Sequence, residues 1–177
     1  MLKKVLLILV AIVALILIAG AFQPAQYRVT RSTTIAAPAA AIFPEINDFH
    51  RWSDWSPWEK LDPNMKRTFA GPTAGVGTSY AWEGNSAVGS GRMTIAESKP
   101  AELIRIDLEF IKPMPGLAPT EFTFKPEGGG TTVTWTMTGE KNYISKVFCM
   151  FMNMDKMVGG DFEKGLAQLK QVAEAKK

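Results

Sequence analysis

The sequence predicts an α+β domain: a curved antiparallel sheet covered by one long C-terminal helix, preceded by an N-terminal transmembrane helix. Three observations predict it. Two lysines near the start precede an unbroken apolar run. Between residues 65 and 140, short stretches of alternating apolar and polar residues are separated by glycine-rich turns. From Ile144 to Val172 the apolar residues recur at helical spacing.

The apolar run spans Val5 to Phe22, or 18 residues. At about 1.5 Å per residue it reaches roughly 27 Å, close to the thickness of a bilayer's hydrocarbon layer. Signal-peptide cores usually run about 7–15 residues, so residues 1–24 are expected to stay as an anchor, crossing the membrane through residues 3–22. Lys3 and Lys4 then remain cytoplasmic, and residues 25–177 lie on the extracytoplasmic side. In a bacterium that side belongs to the envelope. Ala19-Gly20-Ala21 is a weak cleavage site, and the alternative is a secreted or periplasmic domain released near Ala21.

QYRVTRSTTI (residues 26–35) is rich in β-branched residues and reads as the first strand. Pro38 opens a short helix that Pro44 interrupts, so a kink or two short helices are expected. Asp48 is placed to cap one further turn. Strands then follow at MKRTFAG and VGTSYAWEG, the latter setting Thr78, Tyr80 and Trp82 on one face. Gly84-Asn85 suits a hairpin. In VGSGRMTIAES, Gly89, Gly91, Met93 and Ile95 share a face. LIRIDLEFIK directs Ile104, Ile106, Leu108 and Phe110 one way and Arg105, Asp107 and Glu109 the other, as in a sheet with one dry face. TEFTFKP turns Phe122 and Phe124 inward, and TTVTWTMTGEK does the same for Val133, Trp135 and Met137. Short turns between about six consecutive strands imply a meander. A single C-terminal helix is expected to follow, bent or closely contacted at Gly159-Gly160.

Composition excludes several functions. Without Lys3 and Lys4, 18 basic residues stand against 17 acidic ones, and no basic stripe invites nucleic acid. Cys149 is the one cysteine and His50 the one histidine, which rules out internal disulfides and sites needing two imidazoles. Cys149 reads as a buried thiol and His50 as a surface imidazole. The glycines of GPTAGVG lead into a strand, whereas a phosphate loop opens a helix. No cofactor or metal is called for. Of the methionines in CMFMNMDKM, Met150, Met154 and Met157 would share a helical face and fill a core or pocket.

A bent sheet wrapped round a helix leaves a cavity between them, a common ligand site. Its lining is expected from Tyr80, Trp82, Met93, Phe110, Phe122, Trp135, Phe151 and Met154. WSDWSPW (residues 52–58) holds three of the five tryptophans. Trp52, Trp55 and Trp58 either pack the end of the sheet or line the cavity mouth. Asp107 and Glu109 are weak catalytic candidates, because this register points them to solvent.

Five segments carry a family resemblance: DFHRWSDWSPWEKLDP, GPTAGVGTSYAWEGN, GSGRMTIAES, GGGTTVTWTMTGE and MDKMVGGDFEKGLAQLK. With them the chain resembles the START-like, or SRPBCC, superfamily, over about residues 26–173. It is most similar to the branch of polyketide cyclases, dehydrases and lipid-transport proteins. The resemblance implies the helix-grip fold and a cavity for hydrophobic molecules, with no catalytic residues to carry over. The expected function is membrane-tethered binding or transport of a hydrophobic small molecule or lipid. The alternatives are a cyclase- or dehydratase-like enzyme and a structural or stress protein of the envelope without a ligand.

Overall fold

The computed structural model describes residues 2–151 and 153–176. In chain order the elements are α1 (Leu2–Ala21), β1 (Gln26–Ile35), α2 (Ala39–Asn47), a 3-10 turn (Phe49–Asp54), β2 (Lys66–Ala70), β3 (Ser79–Glu83), β4 (Ser90–Lys99), β5 (Leu103–Lys112), the two-residue β6 (Gly116–Leu117), β7 (Thr120–Glu127), β8 (Gly130–Glu140), α3 (Tyr143–Cys149) and α4 (Met154–Ala175). The arrangement is the α+β helix-grip fold. Its sheet is antiparallel, in the order β1-β8-β7-β5-β4-β3-β2, with β6 paired to β5 alone.

The meander expected from short turns runs from β2 to β8. Periodicity could not show that β1 returns to pair with the last strand, from Gln26↔Glu140 to Ile35↔Thr131. Three cross-strand hydroxyl pairs, Thr30–Thr136, Ser32–Thr134 and Thr34–Thr132, line the outer face of that pairing. Farther along the outer face, Arg105 donates to Glu97 at 2.6 Å and to Glu121 at 2.8 Å. Such cross-strand pairs hold register where packing does not.

The inner face is dry because alternation turns it away from solvent. Ile95, Ile104, Ile106, Phe122, Val133 and Trp135 are buried there. α4 covers them with Phe162, Leu166, Leu169 and Ala173, a stripe at helical spacing. Gly165 permits the close approach: a Cβ there would stand 2.9 Å from Trp135 Cζ3 and 3.1 Å from Pro57 Cδ. α2 holds Pro44 within a single helix, and Asp48 accepts from the His50 amide at the next turn. Glu45 on α2 is fully buried and paired with Arg51 at 2.7 Å and Lys176 at 2.9 Å, which fastens α2 to the end of α4.

The C-terminal region corrects the reading of one long helix. The chain breaks between α3 and α4, where Asn153 caps the second helix by accepting from the Lys156 amide. α4 runs unbroken through Gly159 and Gly160. Gly159 does meet a close neighbour, the Arg31 guanidinium, which reaches from β1 to Asp155 at 3.0 Å and Glu163 at 2.6 Å. The helical spacing continues across the break because the two stripes serve different partners. α4 packs on the sheet. α3 packs on α1, where Tyr143 donates to the Leu17 carbonyl and Val147 lies against Gly20. The rest of α1 is exposed nearly throughout, and residues 22–25 alone connect it to β1. Because Met150 lies just past the end of α3 and Met157 in α4, they share no helical face. Met152 lies outside the described residues.

Candidate functional site

A cavity of about 410 Å³ lies between the inner face of the sheet, the first turns of α4 and the tryptophan segment. That volume is of the size that encloses drug-sized ligands. Tyr80 and Trp82 of β3, Met93 of β4, Phe110 of β5 and Trp135 of β8 all line it, because each occupies an inward position on its strand. Leu108 and Met137 join them by the same alternation. Gly91 lets Trp82 lie flat across β4, since a Cβ there would strike the indole ring. Trp82 in turn donates to the Val88 carbonyl at 3.0 Å.

Two expected lining residues are placed otherwise. Phe122 points inward but is packed solid, beneath Trp52, Trp55 and Trp135. Phe151 falls in the break between α3 and α4, is 71% exposed, and borders a separate, shallower depression beside Tyr27, Cys149 and Met150. Cys149 is accordingly half-buried. The side chain of Met154 lies outside the described residues. Asp107 and Glu109 stay on the outer face, where Glu109 pairs with Arg92 at 2.7 Å.

The tryptophan cluster divides its work. Trp55 is fully buried, away from the cavity, and donates to the Glu45 carbonyl at 2.9 Å. Trp52 is buried, donates to the Ile46 carbonyl at 3.0 Å, and also lines the cavity. Trp58 is half-buried at the cavity wall, edge-on to both Trp135 and Phe162. The 3-10 turn and Pro57 turn successive tryptophans in different directions, so their spacing makes no single stripe.

The cavity wall also holds a polar group that sequence reasoning missed. The Glu59 carboxylate, 8% exposed, accepts from the Tyr80 hydroxyl at 2.6 Å and from Arg67 Nε at 2.7 Å. In sequence Glu59 is a charged residue in a loop; its place inside an aromatic segment was the only signal. A second polar feature is the Trp135 indole, stacked on Phe162 with centroids 3.9 Å apart. Its Nε1 is buried without a hydrogen-bond partner among the described residues. An unmet buried donor costs about 1–3 kcal/mol.

Burial pushes the Tyr80 hydroxyl above the ordinary tyrosine range, and the neighbouring Glu59 carboxylate pushes it further. The folded state therefore favours the neutral phenol, while an unfolded tyrosine ionises near pH 10. Tyr80's contribution to stability is fully present below about pH 10 and is lost as the pH rises beyond it. Tyr80→Phe is expected to reduce the loss of stability between pH 9 and 11, read from urea midpoints. Identical alkaline losses in both proteins would count against this account of the site.

The comparisons with known proteins agree with this fold. The family described as polyketide cyclase / dehydrase and lipid transport matches residues 26–174. No curated protein matches the chain significantly. Among solved structures, protein CV1439 from Chromobacterium violaceum is similar with 18% identity and a TM-score of 0.59, over 85% of this chain and 98% of that one. The Aha1 dimer from Colwellia psychrerythraea shares 15% identity with a TM-score of 0.56, over 84% of this chain and 96% of that one. The di-domain ARO/CYC StfQ from the steffimycin biosynthetic pathway shares 10% identity with a TM-score of 0.65, over 86% of this chain and 52% of StfQ. At these identities the likeness is one of fold.

Proposed function

We propose, from the premise that this chain belongs to the polyketide cyclase / dehydrase and lipid transport family, that its domain is a membrane-tethered binder of a hydrophobic small molecule or lipid. The cavity carries the reading. Its wall is largely aromatic and thioether, so affinity comes from apolar burial at about 25 cal/mol per Å². Glu59 supplies a polar contact at the wall that orients the occupant. α1 supplies the tether: its length and composition suit a bilayer span, with Lys3 and Lys4 on the cytoplasmic side and the domain on the other. A purely structural envelope role fits a filled interior better than an open one.

The direct test is native mass spectrometry of the full chain purified in mild detergent, paired with titration of a hydrophobic fluorophore. One bound molecule per chain, displaced by the fluorophore, is the expected result. An empty protein that also ignores the fluorophore would overturn the reading.

A second reading, a cyclase- or dehydratase-like enzyme, draws support from Glu59 and Tyr80 meeting at the cavity wall. An enzyme of this kind needs ionisable groups inside its cavity. Both Glu59 oxygens are already engaged, which favours a binding and orienting role. Substituting Glu59→Gln separates the two: a binder keeps its ligand with altered affinity, while an enzyme keeps affinity and loses turnover.

A further inference from the structure

We infer that the end of the sheet carrying α1 is a lipid-docking face, and that the cavity opens through it onto the bilayer. The inference rests on reading α1 as a membrane anchor and the cavity as a ligand site, and adds the route between them.

Strand register locates the mouth. Gln26 pairs with Glu140 and Ser90 with Lys112, so the start of β1, the end of β8, the end of β5 and the start of β4 share one end of the sheet. α1 enters β1 at this end through residues 22–25. Val88, Gly89, Lys112 and Pro113, which line the cavity, belong to the same end. The mouth and the anchor therefore lie at the same end of the sheet, with β8 and β7 between them.

The surface around them is apolar. Ile111, Met114, Leu117, Ile144, Phe148 and Phe151 are 49–73% exposed. The first three sit at the β5–β6 turn, the others on α3 and just after it. The turns at the opposite end, residues 36–38, 71–78, 100–102 and 128–129, expose one large apolar side chain, Val76, among the described residues. An apolar concentration at one end marks an interaction surface.

The anchor identifies the occupant. The α3 residue Tyr143 bonds to Leu17, four residues before the end of α1. At about 1.5 Å per residue this puts the contact roughly 6 Å inside the end of the span. That is the depth at which interfacial amphipathic helices lie, with tyrosine rings among the headgroups. Lys141 precedes α3 and Lys146 lies in its last turn, where long cationic side chains reach lipid phosphates. A bilayer surface covers this face without leaving the leaflet that α1 already occupies. A hydrophobic ligand then passes between lipid and cavity without crossing water.

The test uses the full chain in nanodiscs of phosphatidylcholine and phosphatidylglycerol. In a Cys149→Ser background, single cysteines replace Leu117, Phe148, Lys125 or Leu9, each labelled with an environment-sensitive nitrobenzoxadiazole. The labels at Leu117 and Phe148 are expected to emit in the blue and to be quenched by lipids spin-labelled near the headgroup. The Lys125 label, at the far end of the sheet, should emit as in water. Water-like emission from both rim positions, with the Leu9 label buried in lipid, overturns the docking face and leaves the anchor standing. A water-like Leu9 label removes the anchor and the docking face together. A Leu117→Glu/Phe148→Glu chain is expected to load a fluorescent lipid from its own disc about tenfold more slowly, with unchanged binding of that lipid in detergent. Equal loading rates would refute the route.

Discussion

Replacing Trp55 with alanine is expected to lower the melting temperature by on the order of 10 °C. Trp55 is fully buried, with ring centroids 4.7 Å from Trp52 and 5.7 Å from Trp135. Truncating a buried tryptophan costs about 3–5 kcal/mol. The change also strips the Glu45 carbonyl of the donor it receives from the indole at 2.9 Å. For a domain of this size about 4 kcal/mol corresponds to roughly 8–16 °C. Trp58→Ala provides the contrast: the ring is half-buried, and its loss should cost about half as much stability or less while weakening hydrophobe binding. Thermal unfolding of both variants, followed by circular dichroism, is the measurement. Equal shifts would refute the division between a structural Trp55 and a cavity-facing Trp58.

Leu108→Trp is expected to reduce hydrophobic-ligand affinity about a hundredfold while leaving the fold in place. Leu108 faces the cavity from the middle of β5, between Met93 and Phe110. A larger ring there grows into open space, so the strain typical of overpacking, about 1–3 kcal/mol, should be small. What is lost is volume. Removing about 110 Å² of ligand contact at 25 cal/mol per Å² is close to 2.7 kcal/mol, or two decades in affinity. Fluorophore titration measures the loss and thermal unfolding checks the fold. Undiminished binding in a stable Leu108→Trp protein would move the ligand out of this cavity.

The strands were legible to the residue where one face is dry and the other wet. QYRVTRSTTI and LIRIDLEFIK coincide with β1 and β5, because alternation reports one-sided burial directly. The same logic brings Tyr80, Trp82, Met93, Phe110 and Trp135 around one cavity. It could not tell a cavity-facing residue from a packed one. Phe122 has the same inward phase, but the tryptophan segment covers it. Long-range choices left no periodic trace: β1 pairing with β8, and the break that gives α3 to α1 and α4 to the sheet. Glu59 was hidden for the opposite reason. A carboxylate in a loop looks solvated until Tyr80 and Arg67, which lie on different strands, are folded onto it.

The linker of residues 22–25 has a quantitative consequence. Four residues span at most about 14 Å, so with α1 in a bilayer the domain explores only a thin shell above the leaflet. A ligand dissolved in that leaflet then stays within reach of the site, at a local concentration set by its abundance in the lipid rather than in bulk water. On the proposed reading, a domain held in this shell stays loaded with weaker and faster-exchanging binding than a freely diffusing carrier with the same cavity would need.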